Sequence, residues 1–299
     1  MAIEGSPSQA TARMADGTLL RTLHWAPEGE PWAVALIVHG LGEHAGRYGN
    51  VAAALAPAGI DVNAYDHRGF GGSAGRRAHV ERWSQLHDDL AERLAAVRAD
   101  HPDLPLVLYG HSLGGLVACG YVLSDEPRPM PDLLVLSAPA LGDSIPGWKR
   151  AFAASMTHVV PRMRVSNGTI RDGLSHDPSI REAYVRDPLC QPTSTIRFGA
   201  EAFAEQERVG RALAALEALP MPTYVFHGSG DPIVPVGASA VLETKRNVTR
   251  RVHDGLRHEQ HHEPEHAAVL EEVVDWIRAQ TAILGTGVSP RAVESAAVG

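Results

Sequence analysis

The sequence predicts an α/β protein: a mostly parallel, doubly wound sheet with an N-terminal hairpin and a helical cap inserted into it. Three observations carry that expectation. Short apolar runs alternate with helical periodicity across residues 33–139. Each run ends in a glycine- or proline-bearing loop, the edge where parallel sheets place their ligands. The alternation stops over residues 140–219 and resumes after them.

Taken in order, residues 1–9 are small and polar and read as a disordered tail. Two β-like segments, 10–15 and 19–26, flank Asp16-Gly17, a hairpin signal. Residues 33–38 are continuously apolar, as a strand buried on both faces must be. Residues 48–58 read as a helix and 60–65 as the next strand. Leu86, Leu90, Leu94 and Val97 recur at helical spacing within 84–100. The strand 106–110 runs directly into a second apolar helix, and 133–136 is a further strand.

Residues 140–219 contain no convincing buried strand, and Trp148, Phe152, Met156 and Val159 lie at helical spacing. This segment reads as a helical cap, and such an apolar stripe is more often lid or core packing than a membrane anchor. Strands resume at 223–226 and 248–253, and a helix spans about 264–279. The core therefore comprises 10–139 and 220–281, and 284–299 reads as a disordered tail.

Composition narrows the function. The chain has 299 residues, a formal charge of −8 and only 5% aromatic residues, which argues against a nucleic-acid platform. Two cysteines, Cys119 and Cys190, make no disulfide framework. No apolar run reaches the roughly 18 residues of a membrane span, and the start carries no signal-peptide pattern. The expected location is cytoplasmic, with peripheral contact to a membrane surface through the cap left open.

The chemistry centres on Gly110-His111-Ser112-Leu113-Gly114, between a strand and a helix. In that setting G-x-S-x-G is a nucleophile elbow, and the serine needs a base oriented by an acid. Asp231 and His258 follow in the required chain order, each in a loop after a strand. The backbone N–H groups of Leu113 and Leu41 are the expected oxyanion donors. Asp254 is a rival acid, but it sits in a turn four residues from the base.

Two decoys share these patterns. Gly71-Gly72-Ser73-Ala74-Gly75 is a second pentad, yet Ser73 lies several residues past its strand and before a poor helix start. His258-Glu259-Gln260-His261-His262 matches H-E-x-x-H, a zinc-protease helix motif. Gly255 before it and Pro264 after it argue against the regular helix such a site needs, so no metal or cofactor is expected.

These residues bring a family into view. His39-Gly40-Leu41-Gly42-Glu43-His44-Ala45-Gly46-Arg47-Tyr48 resembles the H-G-x-G-E-H-x-x-R-Y signature of the monoacylglycerol lipase and lysophospholipase group. Asp66-His67-Arg68-Gly69-Phe70-Gly71-Gly72-Ser73 is similar to that group's D-x-R-G-x-G-x-S loop. The elbow, Ser137-Ala138-Pro139, Leu174-Ser175-His176-Asp177-Pro178, Tyr184 and Asp187-Pro188-Leu189 extend the likeness over about residues 10–281. The resemblance implies an α/β-hydrolase fold with a lid and hydrolysis of a fatty-acyl ester, foremost a monoacylglycerol. It also implies that Glu43, Arg47 and His261 face the glycerol end. A lysophospholipase or general carboxylesterase would use the same triad. A proline-type serine peptidase and a non-catalytic binding module are the remaining alternatives. The oligomeric state is left open.

Overall fold

The computed structural model describes residues 6–168 and 173–285. An N-terminal hairpin pairs β1 (Ser8–Arg13) with β2 (Leu19–Trp25) around Gly17, whose φ of 85° suits glycine. Then come β3 (Ala33–Val38), α1 (Gly49–Leu55), β4 (Ile60–Tyr65), α2 (Ser84–Asp100), β5 (Leu106–His111), α3 (Leu113–Val122) and β6 (Leu133–Ser137). After an insertion the alternation returns with β9 (Thr223–Gly228), the short α7 (Ala240–Glu243), β10 (Val248–His253) and α8 (His266–Gly285). The insertion itself holds α4 (Gly147–Met156), β7 (Arg164–Ser166), α5 (Pro178–Arg186), β8 (Thr193–Thr195) and α6 (Ile196–Ala215).

The main sheet has eight strands in the order β1-β2-β4-β3-β5-β6-β9-β10. Strand β2 runs antiparallel to both its neighbours, β1 and β4, and every other pairing in this sheet is parallel. The strand order reverses between β3 and β5, so the loops after these two strands leave the sheet side by side. That crevice is where an open α/β sheet binds ligands.

The continuous apolar run of β3 has a direct explanation. Val34, Leu36 and Val38 point into one core cluster, while Ala33, Ala35 and Ile37 point into the other, across the sheet. Strands β5 and β6 divide in the same way. Burying each such Leu, Ile or Val contributes about 1.5–3 kcal/mol before conformational entropy is subtracted. Helices α2, α3 and α6 cover the first face, and α1 and α8 the second. All ten residues of α3 are buried, which is why its sequence lacks a polar face.

Several expectations shift at the edges. Ser8 and Gln9 already pair within β1, so the ordered chain begins before residue 10. Helix α8 starts two residues after Pro264 and reaches Gly285. The rest of the two predicted tails, 1–5 and 286–299, lies outside the described residues. Helix α5 was hidden between two Asp-Pro pairs that are in fact its boundaries. Asp177 caps it by accepting from the Ser179 N–H, Pro178 opens its first turn, and Asp187-Pro188 ends it. The two-stranded β7–β8 ladder was not expected, because three-residue strands carry no usable alternation.

Helix α4 overturns the packing expected for its apolar stripe. It has no buried residue, and Trp148 and Phe152 are 69% and 59% exposed, as is Val159 beyond its end (72%). Periodicity revealed an apolar face but not that it points outward.

Candidate active site

Ser112 sits between β5 and α3 with φ 53° and ψ −116°, in the left-handed region non-glycine residues seldom enter. Three backbone bonds hold it there. Its N–H donates to the Ser137 carbonyl at 3.0 Å, and its carbonyl accepts from Ala140 at 2.9 Å and Leu116 at 3.1 Å. The flanking glycines are steric necessities. A Cβ at Gly110 would stand 2.6 Å from the Gly114 carbonyl oxygen, and one at Gly114 would run into the Val38 carbonyl. Gly115 likewise leaves room for Pro139.

His258 lies in the loop after β10 with its Nδ1 2.7 Å from Asp231 Oδ2. Asp231 stands in the loop after β9, and its Oδ1 accepts from the N–H groups of Ile233 (2.8 Å) and Val234 (3.0 Å). Burial works against both charges. For Asp231 the neighbouring His258, with the hydrogen bonds it receives, outweighs burial and holds the carboxyl well below the ordinary carboxylate range. For His258 burial is overcome chiefly by Asp231, then by Glu259 and Glu43, and the imidazole is raised. Ser112 and His258 line one cavity. Among the described residues no hydrogen bond joins their side chains, a contact that often tightens only when substrate arrives.

Leu113 is the first residue of α3, so its N–H has no intrahelical acceptor. Leu41 follows Gly40 in the loop after β3, and both leucines line the cavity beside Ser112. That loop is fixed from behind. His39 is fully buried; its Nδ1 meets the Gly40 carbonyl at 2.8 Å and its Nε2 accepts from the His67 N–H at 2.9 Å. Glu43 Oε1 accepts from Gly40 N–H at 2.6 Å and Tyr48 Oη at 2.7 Å. From the insertion, Tyr184 Oη (3.0 Å) and Gln191 N–H (2.6 Å) both donate to the Gly42 carbonyl.

Of the three residues expected at the glycerol end, only Glu43 lines the cavity. Arg47 lies behind it, donating from Nε to Glu43 Oε2 at 2.9 Å and from Nη2 to Glu259 Oε2. Its guanidinium also stacks on Tyr184, 5.2 Å from the ring centre. His261 is fully buried, stacked on Tyr48 at 5.0 Å and packed edge-on against His111 at 4.9 Å. Burial, with the neighbouring His262 and His111, pushes its imidazole well down. Glu259, which the sequence placed only in a zinc decoy, lines the cavity instead. Its Oε2 takes Arg47 and His262 Nδ1 (2.8 Å), leaving Oε1 without a protein partner among the described residues. Burial opposes its charge, but Arg47 and His262 keep the carboxyl well below its usual range.

The cavity measures about 420 Å³. Much of its wall is apolar, including Leu116, Ile145, Phe152, Met163, Phe198 and Phe203. Near Ser112 it becomes polar, with Glu43, Glu259 and Tyr184. Among the described lining residues there is no lysine or arginine.

The decoys have other occupations. Ser73 Oγ accepts from Arg21 N–H (2.9 Å) and donates to the Asp66 carbonyl (2.6 Å), which stitches its loop to β2. Asp254 accepts from the Ser229 hydroxyl at the surface. Residues 258–262 do not form a regular α-helix; only a 3-10 turn spans Gln260–His262. Among the described residues, two groups bring metal-ligand atoms within 4.8 Å of one another: Glu259 with His261 and His262, and His44 with Asp187 and Cys190. The first already holds the Arg47 guanidinium. In the second, His44 uses Nδ1 to accept from Gly46 and Nε2 to meet Asp187 at 2.9 Å.

This geometry can be set beside known proteins. The family model described as serine aminopeptidase, S33, matches residues 29–265. The chain belongs to that family. Within the S33 family it is similar to the monoacylglycerol lipase of Mycolicibacterium smegmatis, at 34% identity over 258 residues, covering 85% of this chain and 90% of that one. It is also similar to the Homo sapiens monoglyceride lipase, at 31% identity over 285 residues and 92% of each. The crystal structure of Paleococcus ferrophilus monoacylglycerol lipase matches with a TM-score of 0.74 at 27% identity, over 91% of this chain and 98% of that one. A soluble variant of Saccharomyces cerevisiae monoglyceride lipase with a substrate analogue reaches 0.80 at 18% identity, over 93% and 96%, a likeness of fold. The expected family and the α/β-hydrolase fold are borne out.

Proposed function

We propose that this chain is a serine hydrolase that cleaves monoacylglycerol to glycerol and a fatty acid through an acyl-enzyme. The observation that carries the reading is the single cavity in which Ser112 and the Asp231-oriented His258 meet an apolar channel. In this reading His258 takes the Ser112 proton as Oγ attacks the ester carbonyl. The N–H groups of Leu41 and Leu113 receive the developing oxyanion, a contribution of about 3 kcal/mol each. Asp231 keeps the Nδ1 proton in place and balances the imidazolium. His258 then protonates the departing glycerol oxygen, and a water deprotonated by the same ring releases the fatty acid. These steps use only side chains and backbone of the chain itself. Residues 140–219 act as the lid and supply the acyl-chain wall, their last helix α6 packing onto the catalytic core of 10–139 and 220–281.

The polar end supports a neutral, hydroxyl-bearing head group. Glu43 and Glu259 are acceptors flanked by no described lysine or arginine in the lining, so a phosphate there would meet like charge. Glu259 Oε1 is the acceptor left for a glycerol hydroxyl; Arg47 and His261 support this end from behind. Monoacylglycerol is expected to be hydrolysed at least about 10-fold faster than lysophosphatidic acid of the same acyl chain, measured as kcat/KM in matched micelles. Equal or inverted rates would favour the lysophospholipase reading instead.

The exposed stripe of α4 and its flanks supports a peripheral encounter with lipid, since Phe152 within it, Ile145 before it and Met163 after it are exposed and also line the cavity. Among the described residues no helix is long and apolar enough to cross a membrane. We place the enzyme in the cytoplasm, in keeping with its two free, buried cysteines. The double substitution Trp148→Ser, Val159→Ser, at two exposed residues outside the cavity lining, is expected to lower turnover of monoacylglycerol in vesicles by about 5-fold or more, with a soluble short-chain ester nearly unaffected. Parallel losses on both substrates would argue for a purely structural stripe.

A further inference from the structure

His227 ends β9 and is fully buried, and the acyl-transfer steps above make no use of it. Its Nε2 lies 3.1 Å from Asp231 Oδ2 and 2.9 Å from the Val234 carbonyl oxygen. Both are acceptors only, so this nitrogen carries the ring proton. Its Nδ1 lies 3.0 Å from Ser239 Oγ, whose hydroxyl proton can go either to this nitrogen or to the Val236 carbonyl at 3.2 Å. Ser239 Oγ in turn accepts from Arg250 Nε at 3.1 Å. Arg250 is itself held by the Val236 carbonyl (2.9 Å) and Glu243 (3.0 Å). A series of polar contacts thus runs from β10, through the 3-10 turn Val236–Ser239, to the oxygen of Asp231 that also takes His258 Nδ1.

We propose that His227 is a positioning residue of the triad, which locks the Asp231 carboxylate in one rotamer and shares its Oδ2 with the base His258. The inference rests on the Ser112–Asp231–His258 reading. Two features separate it from ordinary core packing. The ring ties Asp231 and Val234 within loop 229–235 to Ser239 beyond it. It also spends its one proton on Oδ2, although Val234 alone would have satisfied a buried donor. The donor draws negative charge away from the oxygen facing His258. Other charged or titratable groups facing His258 are Glu259 in its own loop, Glu43 from the loop after β3, and His111 from β5.

The test uses the full-length enzyme, a soluble p-nitrophenyl ester and a pH series. His227→Leu removes the donor at similar volume. Its kcat is expected to fall by about 10- to 100-fold with KM changed less than about 2-fold. The acid limb of kcat/KM should move to higher pH by about half a unit, because Oδ2 then offers His258 more negative charge. His227→Gln, whose amide N–H can reach the same oxygen, should restore kcat to within about 5-fold of wild type and return the limb to its original place. If the leucine variant does not fold, Ser239→Ala serves: it removes the contact that steadies the other side of the ring and should lower kcat about 3-fold with the limb moved in the same direction. The proposal is overturned if a folded leucine variant keeps the wild-type kcat and limb. An unshifted limb in Ser239→Ala, or leucine and glutamine variants that lose activity equally at lowered Tm, would overturn it too. Failure of the parent reading looks different, since wild-type enzyme would then hydrolyse no ester and a fluorophosphonate would leave Ser112 unlabelled.

Discussion

Replacing Ser112 with alanine is expected to lower kcat on a soluble ester by about 10⁵- to 10⁶-fold while the fold persists. The size follows from the proposed mechanism: without Oγ no acyl-enzyme would form, and only the proposed donors at Leu41 and Leu113 and the walls of the cavity would remain to favour hydrolysis. The fold should survive because the backbone, not the hydroxyl, secures the elbow. The bonds from Ser137, Ala140 and Leu116 are all made by main-chain atoms of residue 112, and the side-chain oxygen has no protein partner among the described residues. Alanine carries the same Cβ as serine, so the cost of φ 53° is unchanged. Steady-state kinetics, Tm and fluorophosphonate labelling check this together. Ester turnover within about 100-fold of wild type by the folded variant would sink Ser112 as the nucleophile and reopen the binding-module reading.

Asp231→Asn should reduce kcat by about 10⁴-fold with little change in KM, for a reason the hydrogen bonds make specific. Oδ1 accepts two backbone N–H groups, from Ile233 and Val234. An asparagine will therefore keep its carbonyl oxygen there and turn its NH₂ toward the two imidazoles. His258 Nδ1, now facing a donor, must become an acceptor, which moves the ring proton to Nε2. That tautomer cannot take the Ser112 proton. The pH profile offers a second readout. In wild type, activity requires neutral His258, so kcat/KM should fall as pH drops through its pKa, which Asp231 raises above the ordinary value near 6.5. The asparagine variant lacks that negative charge, and its residual acid limb should move to lower pH. A variant within 10-fold of wild type, or one with an unmoved limb, would mean that another group orients the base.

The alternation of buried strands and amphipathic helices was legible because burial on two faces leaves a mark that short windows can read. The run 33–38 is apolar throughout because its residues feed two cores in turn. The elbow was legible because its glycines are demanded by backbone contacts close in sequence or in adjacent strands. Helix α5 could have been found, since Asp177-Pro178 is a capping signal as well as a turn signal. The exposure of α4 and the burial of His261 could not. Periodicity reports that a helix has an apolar face, and a motif reports that a histidine is nearby, but neither says what lies opposite.

The polar end of the cavity shows this division most clearly. Glu43, Arg47, Glu259, His261 and His262 come from two loops about 210 residues apart, as the Arg47–Glu259 pair shows. Their roles were decided by which of them shields which from the cavity. The same is true of His227, whose meaning depends on Ser239 and Asp231 approaching it from one folded loop.

By itself the sequence determined the fold class, the chain order of Ser112, Asp231 and His258, and the loops that carry them, because these depend on local pattern and on strands ending where glycine permits. Tertiary structure alone decided which carboxylate meets the cavity, which histidines stand behind it, and which face of the cap is open to the outside. Those are outcomes of packing and of competition for a limited number of buried hydrogen-bond partners, and no spacing along the chain encodes them.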